Sequence, residues 1–270
     1  MNNCELCSFY NPKATVTAVI IKDGKLLVLK RNEEPFKDQW DLPGGYMRAN
    51  ETPEQAIKRE LKEELTVDAK VTFIKSFPGS AFWKGEQFPV LNNAFLVEIN
   101  QEINLNKENS EYYWADFKNL YEVAFDSNMD ILNYVKNNFD FDLERIKKLV
   151  QQLDSSASVN EHSLYEAVLQ GYISKAFNDD GILIGIGWAF PRQTMLRKQA
   201  VIEDMIVDEN QRGKGLGYRI LDDVIKQALA DGVEVIELTT NPKREAANKL
   251  YQRYGFNLHI TNHYLYQKPE

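Results

Sequence analysis

The sequence predicts two α/β domains in tandem, on three observations. The chain has 270 residues, long for one domain and comfortable for two. Apolar runs of strand length alternate with amphipathic helical patterns through both halves, which calls for mixed sheet-and-helix architecture. Around residues 137 to 140 the polar stretch NNFD interrupts that patterning. The domains are therefore drawn as 1–137 and 138–270.

The first half opens with TVTAVII and KLLVLK, joined by Lys22-Asp23-Gly24, a hairpin signal. A loop carrying DLPGG leads to a helix that Thr52 can cap, with Pro53 at its first position and Gln55 completing a capping box. AKVTFIKSF and LNNAFLVEI read as strands, SFPGSAFWKGEQFP as a loop after the helix, and NMDILNYVKNN as the closing helix. The second half starts with helical patterns at DLERIKKLVQQL and HSLYEAVLQGYI. Strands follow at GILIGIGWAF and QAVIEDMIV, then a helix from about Gly213 and a strand at VEVIELTT. The last helix opens at Asn241-Pro242 and stops at Gly255.

Composition narrows the function. The apolar fraction of 43% supports real cores. Net charge is −8, and both halves are acidic, with 16 basic against 21 acidic residues up to residue 137 and 16 against 19 after it. That disfavours nucleic-acid binding, which needs a basic surface. There is no secretory leader in MNNCELCSFYNPK and no apolar run long enough to span a membrane. The expectation is a cytoplasmic protein without membrane or nucleic-acid partners. Cys4 and Cys7 have zinc-knuckle spacing, but a structural zinc site needs four ligands. His162, His259 and His263 show no ligand spacing toward them.

The helix after Thr52 poses an electrostatic problem. At about 100° per residue, Glu60, Glu63 and Glu64 fall within one arc beside the apolar face of Ala56, Ile57, Leu61 and Leu65. A solvated face usually alternates sign to gain i,i+4 pairs. Here like charges are neighbours, and only Arg59–Glu63 offsets them. A cation should sit there, and carboxylates without His or Cys suit Mg²⁺ or Mn²⁺.

Gly45, Glu51, then Arg59-Glu60-Leu61-Lys62-Glu63-Glu64 and Val67, with WDLPGG before them, closely resemble the Nudix box. The resemblance covers residues 13 to 137 and implies an α/β/α sandwich with a mixed sheet. It also implies Mg²⁺- or Mn²⁺-dependent hydrolysis of a nucleoside diphosphate linked to another moiety. By resemblance, Glu60, Glu63 and Glu64 hold the metal with the Gly45 carbonyl, Glu51 pairs with Arg59, and Glu60 acts as base. Thr66 departs from the pattern, which has glycine there to end the helix left-handed. Threonine adopts that conformation poorly, so the helix is expected to end by another geometry. Phe82, Trp83 and Phe88 are base-stacking residues, core residues or a hydrophobic lid. The substrate stays open among ADP-ribose, a dinucleotide and an oxidised nucleoside triphosphate. CELC before FYNPK resembles the second half of a zinc ribbon found before some Nudix domains, so residues 1–12 read as its remnant.

In the second half, VIEDMIVDENQRGKGLGYRILDDVIKQAL runs from a strand through a glycine turn into an amphipathic helix. Free N–H groups at such a helix start can cradle phosphate, although the glycines fit neither a Walker nor a dinucleotide motif. Tight packing of a βα corner would also explain them. Arg212-x-x-Gly215-x-Gly217, with AANKLYQRYGF about 30 residues later, resembles the GNAT acetyltransferases over residues 142 to 267. That resemblance implies a mixed, twisted sheet flanked by helices and transfer of acetyl from acetyl-CoA to an unidentified primary amine. Arg212, Gly213, Lys214, Gly215, Leu216 and Gly217 would grip the pyrophosphate of acetyl-CoA, and Met205, Ile206, Val207 and Asn241 its pantetheine arm. Tyr251 would protonate the departing thiolate. Glu203 would be the base, chosen over Asp204 because strand neighbours face opposite ways. The alternative is a Nudix hydrolase regulated by a catalytically silent, CoA-binding GNAT-like module.

Overall fold

The computed structural model describes residues 11–83, 85–117, 119–120, 122–262, 264 and 266. Cys4, Cys7 and His263 lie outside them. Packing divides the chain into two compact units, one reaching residue 151 and including 156–170, the other comprising 152–155 and residues from 171 onward. Among the described residues no helix is long and apolar enough to cross a membrane.

In the first unit β1 (Lys13–Lys22) and β2 (Lys25–Arg31) meet at a two-residue turn. Asp23 and Gly24 both have positive φ, 51° and 70°, as tight hairpins demand. With β3 (Trp40–Asp41), β5 (Ala69–Trp83) and β6 (Glu86–Ile99), the sheet order is β3-β2-β1-β6-β5. β4 (Gly44–Tyr46) adds to β1, and β7 (Asn109–Asp116) to β2. β1 runs parallel to β6 and antiparallel to β2 and β4, so the sheet is mixed. SFPGSAFWKGEQFP, expected as a loop, is instead the body of the β5–β6 hairpin, with Ser80 opposite Pro89 and Phe82 opposite Gln87. Its prolines and glycines suggest a loop, but β5 is an edge strand and β1 joins β6 only from Val90 onward. Proline costs little where no second neighbour needs its N–H.

Helix α1 (Pro53–Leu65) has the Thr52–Gln55 capping box and buries Ala56, Ile57, Leu61 and Leu65 against Val16, Ala18 and Ile20. Its far end corrects the expectation for Thr66. Thr66 is left-handed, φ 61° and ψ 31°, and its N–H donates to the Leu61 carbonyl. A β-branched residue is strained there, and the chain after β6 offsets the strain. The Thr66 hydroxyl donates to the Asn104 carbonyl at 3.1 Å. Asn104 N–H donates to the Leu65 carbonyl at 2.9 Å and Asn106 N–H to the Glu64 carbonyl at 3.0 Å. Residues 104 to 106 thus satisfy helix-end carbonyls that would otherwise lack partners.

Helix α2 (Asp126–Phe139) continues through residues 137 and 138, because the buried Phe139 anchors its last turn. Helices α3 (Leu143–Gln151) and α4 (Glu161–Gln170) fall within the first unit. The Glu161 carboxylate accepts both N–H groups of the Asp23-Gly24 turn, each at 2.8 Å.

The second unit is a mixed sheet of β8 (Tyr172–Phe177), β9 (Leu183–Gln193), β10 (Lys198–Val207) and β11 (Val235–Leu238) in the order β11-β10-β9-β8. Only the β10–β11 pair is parallel. Helix α5 (Leu216–Ala230) packs on this sheet, and α6 (Glu245–Tyr254) follows β11. α6 starts later than Asn241-Pro242 suggests. The Asn241 side chain accepts from Lys243 N–H and its carbonyl from Arg244 N–H, both at 2.9 Å, closing a separate turn first. Gly187 is where α5 approaches β9. A Cβ there would lie 2.4 Å from Ile220 Cγ2 and 2.8 Å from Met205 Sδ. Gly187→Val should therefore destabilise the second unit by about 1–3 kcal/mol, read as a lower urea midpoint.

Candidate active sites

The carboxylates of α1 gather around one guanidinium. Arg59 donates to both Glu51 oxygens, at 2.7 and 3.0 Å, to Glu60 at 2.7 Å, to Glu63 at 3.2 Å and to the Tyr46 carbonyl at 2.9 Å. These bonds hold the Glu51 carboxyl down at about 2 and push the Arg59 guanidinium further up. Glu63 also accepts from Arg48, whose Nη2 stands 3.0 Å from each of its oxygens. The Glu60 carboxylate lies against Gly45, where a Cβ would stand 2.5 Å from Oε1, so glycine leaves that space for it. Burial raises the Glu60 carboxyl, Arg59 opposes the rise, and the charges of Glu63 and Glu108 add to it.

Glu64 differs from the other two. It is 7% exposed and makes no ion pair among the described residues. Gly44 N–H donates to Oε2 at 2.9 Å and Asn109 Nδ2 to Oε1 at 3.3 Å. Burial pushes its carboxyl up to about 8, and the nearby charges of Glu60 and Asp41 act the same way. Among the described residues no three Asp, Glu, His or Cys side chains converge into a ready-made ion cage. The donor chemistry nevertheless fits a hard cation, since the oxygen donors carry more negative charge than the arginines offset.

Four residues that the sequence reading passed over belong to this site: Arg48, Glu108, Asn109 and Asp41. Asp41 is buried, accepts from Asn128 Nδ2 at 2.6 Å and Leu42 N–H at 2.9 Å, and is pushed up to about 7 by burial. Asn128 in turn meets Thr17 and Asn92 in a buried polar cluster. Asp41 stands in the quoted WDLPGG, but no local spacing ties Glu108 or Asn109 to a helix ending more than 40 residues earlier. The aromatic candidates separate. Phe82 meets Phe36 edge-on, whereas Phe88 stands 6.4 Å from Tyr46 with Lys13 Nζ 4.5 Å from its ring centre.

In the second unit a short 3₁₀ turn, Glu209–Gln211, leads into the glycine turn. Gly213 and Gly215 have φ of 78° and 76°, and α5 begins at Leu216 with no side chain capping its first N–H groups. Arg212 Nε donates to the Val207 carbonyl and Lys214 Nζ to Gln211 Oε1. A Cβ on Gly217 would stand 3.3 Å from Leu250 of α6. β10 pairs with β11 only as far as Ile202–Leu238, while its pairing with β9 continues to Val207. The β11-side edge of Met205, Ile206 and Val207 thus has no strand partner among the described residues. A bulge between Ile202 and Met205 removes the strict alternation used to choose Glu203 over Asp204. Both are exposed, and the surroundings of Asp204 raise its carboxyl by desolvation. Tyr251 packs in the apolar cluster containing Ile202 and Met205, so the tyrosine and the bulge share one neighbourhood. Burial raises its hydroxyl, and Arg244 opposes the rise. Asn241 lies in the turn before α6.

These are the features of a pyrophosphohydrolase-type unit followed in the chain by an acetyltransferase-type unit. The NUDIX domain family model matches residues 11–132, and the Acetyltransferase (GNAT) family model matches residues 142–256. An ADP-ribose pyrophosphatase from Methanocaldococcus jannaschii is 34% identical over 131 residues, covering 47% of this chain and 76% of that protein. The nucleoside triphosphatase NudI of Escherichia coli is 29% identical over 128 residues, covering 43% of this chain and 89% of that protein. A MutT NUDIX hydrolase structure from Burkholderia pseudomallei is 22% identical with a TM-score of 0.42, covering 46% of this chain and 98% of that one. The chain belongs to the Nudix family through its N-terminal part and carries a GNAT acetyltransferase domain after it.

The raised carboxyls make a pH prediction. A carboxyl whose folded pKa lies above its unfolded value binds protons more tightly when folded, so stability falls as pH rises between the two values. For Asp41 and Glu64 that window runs from about 4 to about 8. Glu51 has the opposite sign, its contribution being lost as pH falls through about 2. Metal-free protein in EDTA should show a falling Tm from about pH 5 to 8, and Glu64→Gln should flatten that decline.

Proposed function

We propose that the first unit hydrolyses a nucleoside diphosphate linked to another moiety, with Mg²⁺ or Mn²⁺, and that ADP-ribose is its substrate. The carrying observation is Glu64, a buried carboxylate near the charges of Glu60 and Asp41 with two neutral donors and, among the described residues, no cation paired to it. Similarity to the Methanocaldococcus ADP-ribose pyrophosphatase supports the substrate. Glu60, Glu63 and Glu64 would hold the ion with the Gly45 carbonyl. A bound divalent ion would supply neutralisation of the pyrophosphate charge. Arg59 locks α1 to the loop through Glu51 and also engages Glu60 and Glu63, leaving Glu64 to neutral donors. Water attacks one phosphorus, the P–O–P bridge breaks, and AMP and ribose 5-phosphate leave. Glu60 would take the water's proton, its raised carboxyl suiting a base. Glu108, whose charge acts on Glu60, is the second acceptor to test. The Tyr46–Phe88 pair would receive the base and Lys13 a phosphate.

The second unit would transfer acetyl from acetyl-CoA to a primary amine. The turn from Arg212 to Gly217 would bind the CoA pyrophosphate, with the unpaired edge of Met205 to Val207 and Asn241 along the pantetheine arm. The amine nitrogen attacks the thioester carbon, the C–S bond breaks, and Tyr251 protonates the sulfur. Glu203 or Asp204, on the bulge, would take the amine proton.

Phosphate release from ADP-ribose and related compounds with Mg²⁺, coupled to a phosphatase, tests the first half. Acetylation of an amine panel tests the second. Glu64→Gln should abolish hydrolysis and spare acetyl transfer, while Tyr251→Phe should slow transfer about 100-fold or more and spare hydrolysis. Acetyl-CoA binding with no amine acetylated would support the silent-module reading instead.

A further inference from the structure

We propose that Asn109 is a positioning residue for Glu64, fixing its carboxylate orientation for a divalent ion from the strap that closes the end of α1. This rests on the reading of Glu64 as a metal ligand. Glu64 is held at three points. Its backbone carbonyl accepts from Asn106 N–H at 3.0 Å, Oε1 from Asn109 Nδ2 at 3.3 Å and Oε2 from Gly44 N–H at 2.9 Å. Two of these bonds come from the stretch running from the β6–β7 connection into the start of β7, and the connection also meets Thr66 and Leu65.

The two side-chain donors come from different elements, Gly44 on β4 and Asn109 at the start of β7. Gripping both oxygens stops the carboxylate from turning. A carboxylate oxygen has about two lone-pair sites, so each keeps one for a cation. Both donors are neutral. An arginine in either place would cancel the charge that a metal needs, which is what Arg59 does at Glu51. Asn109 is 8% exposed, Glu64 is the only side chain its amide meets among the described residues, and its backbone pairs with Arg31. A buried amide beside a buried carboxylate satisfies a polar pair and sets an angle at once.

Binding of Mn²⁺, followed by the electron paramagnetic resonance signal of free ion, tests this without turnover. Asn109→Leu removes the donor and keeps much of the volume, and Asn109→Ala serves if leucine prevents folding. Either folded variant should bind Mn²⁺ about 10- to 100-fold more weakly, with substrate KM unchanged once Mn²⁺ is saturating. Wild-type Mn²⁺ affinity in a folded Asn109 variant would overturn the positioning role. Glu64→Gln separates the two ideas. If it too binds Mn²⁺ as wild type, the ligand reading of Glu64 fails and the role of Asn109 falls with it. If it alone loses Mn²⁺, only the positioning role is lost.

Discussion

Charge compensation around Arg59 is the constraint on which the first unit's site depends. One guanidinium serves Glu51, Glu60, Glu63 and a backbone carbonyl. It binds the loop before α1 to the helix itself, so Gly45 and the helix carboxylates are brought together by one side chain. The pair with Glu51 is two-pronged, the geometry in which arginine exceeds lysine. What Arg59 does not reach is Glu64. The unit buries that carboxylate with uncharged donors, at an energetic cost that only a bound cation or a proton removes. Glu64 is thus the least compensated of the α1 carboxylates among the described residues.

The second unit differs in presenting backbone rather than side chains at its candidate site. β10 follows β9 to Val207 but leaves β11 at Ile202, so the sheet opens where the glycine turn begins. Two left-handed glycines aim the chain into α5 without a side-chain cap. Open strand edge and uncapped helix start then lie consecutively along one stretch of chain. Arg212 ties them by donating to the last carbonyl of the strand.

Thr66 shows how local rule and tertiary structure trade. Glycine would take the left-handed position freely, and threonine takes it only with its hydroxyl and the neighbouring carbonyls engaged by residues 104 to 106. The strain is local, and its compensation comes from nearly 40 residues away. The same strap brings Asn109 to Glu64, so the helix end and the carboxylate are held by one segment.

The sequence by itself determined what depends on near neighbours. The capping box at Thr52, the Asp23-Gly24 turn, the clustering of Glu60, Glu63 and Glu64 on one arc of α1, and the glycine turn before α5 all follow from spacing within a few residues, where helical and strand periods are rigid. Tertiary structure decided what depends on distant partners. It turned SFPGSAFWKGEQFP into paired strand by placing it at a sheet edge, and ran α2 into the polar NNFD as far as Phe139, which had a core to enter. It broke the alternation at Glu203 and Asp204 with a bulge opposite β9. It also supplied Glu108, Asn109 and Asp41 to a helix whose own sequence names none of them. Burial, which raises Asp41 and Glu64 so far, is a property of everything packed around a side chain, and no short stretch of sequence contains it.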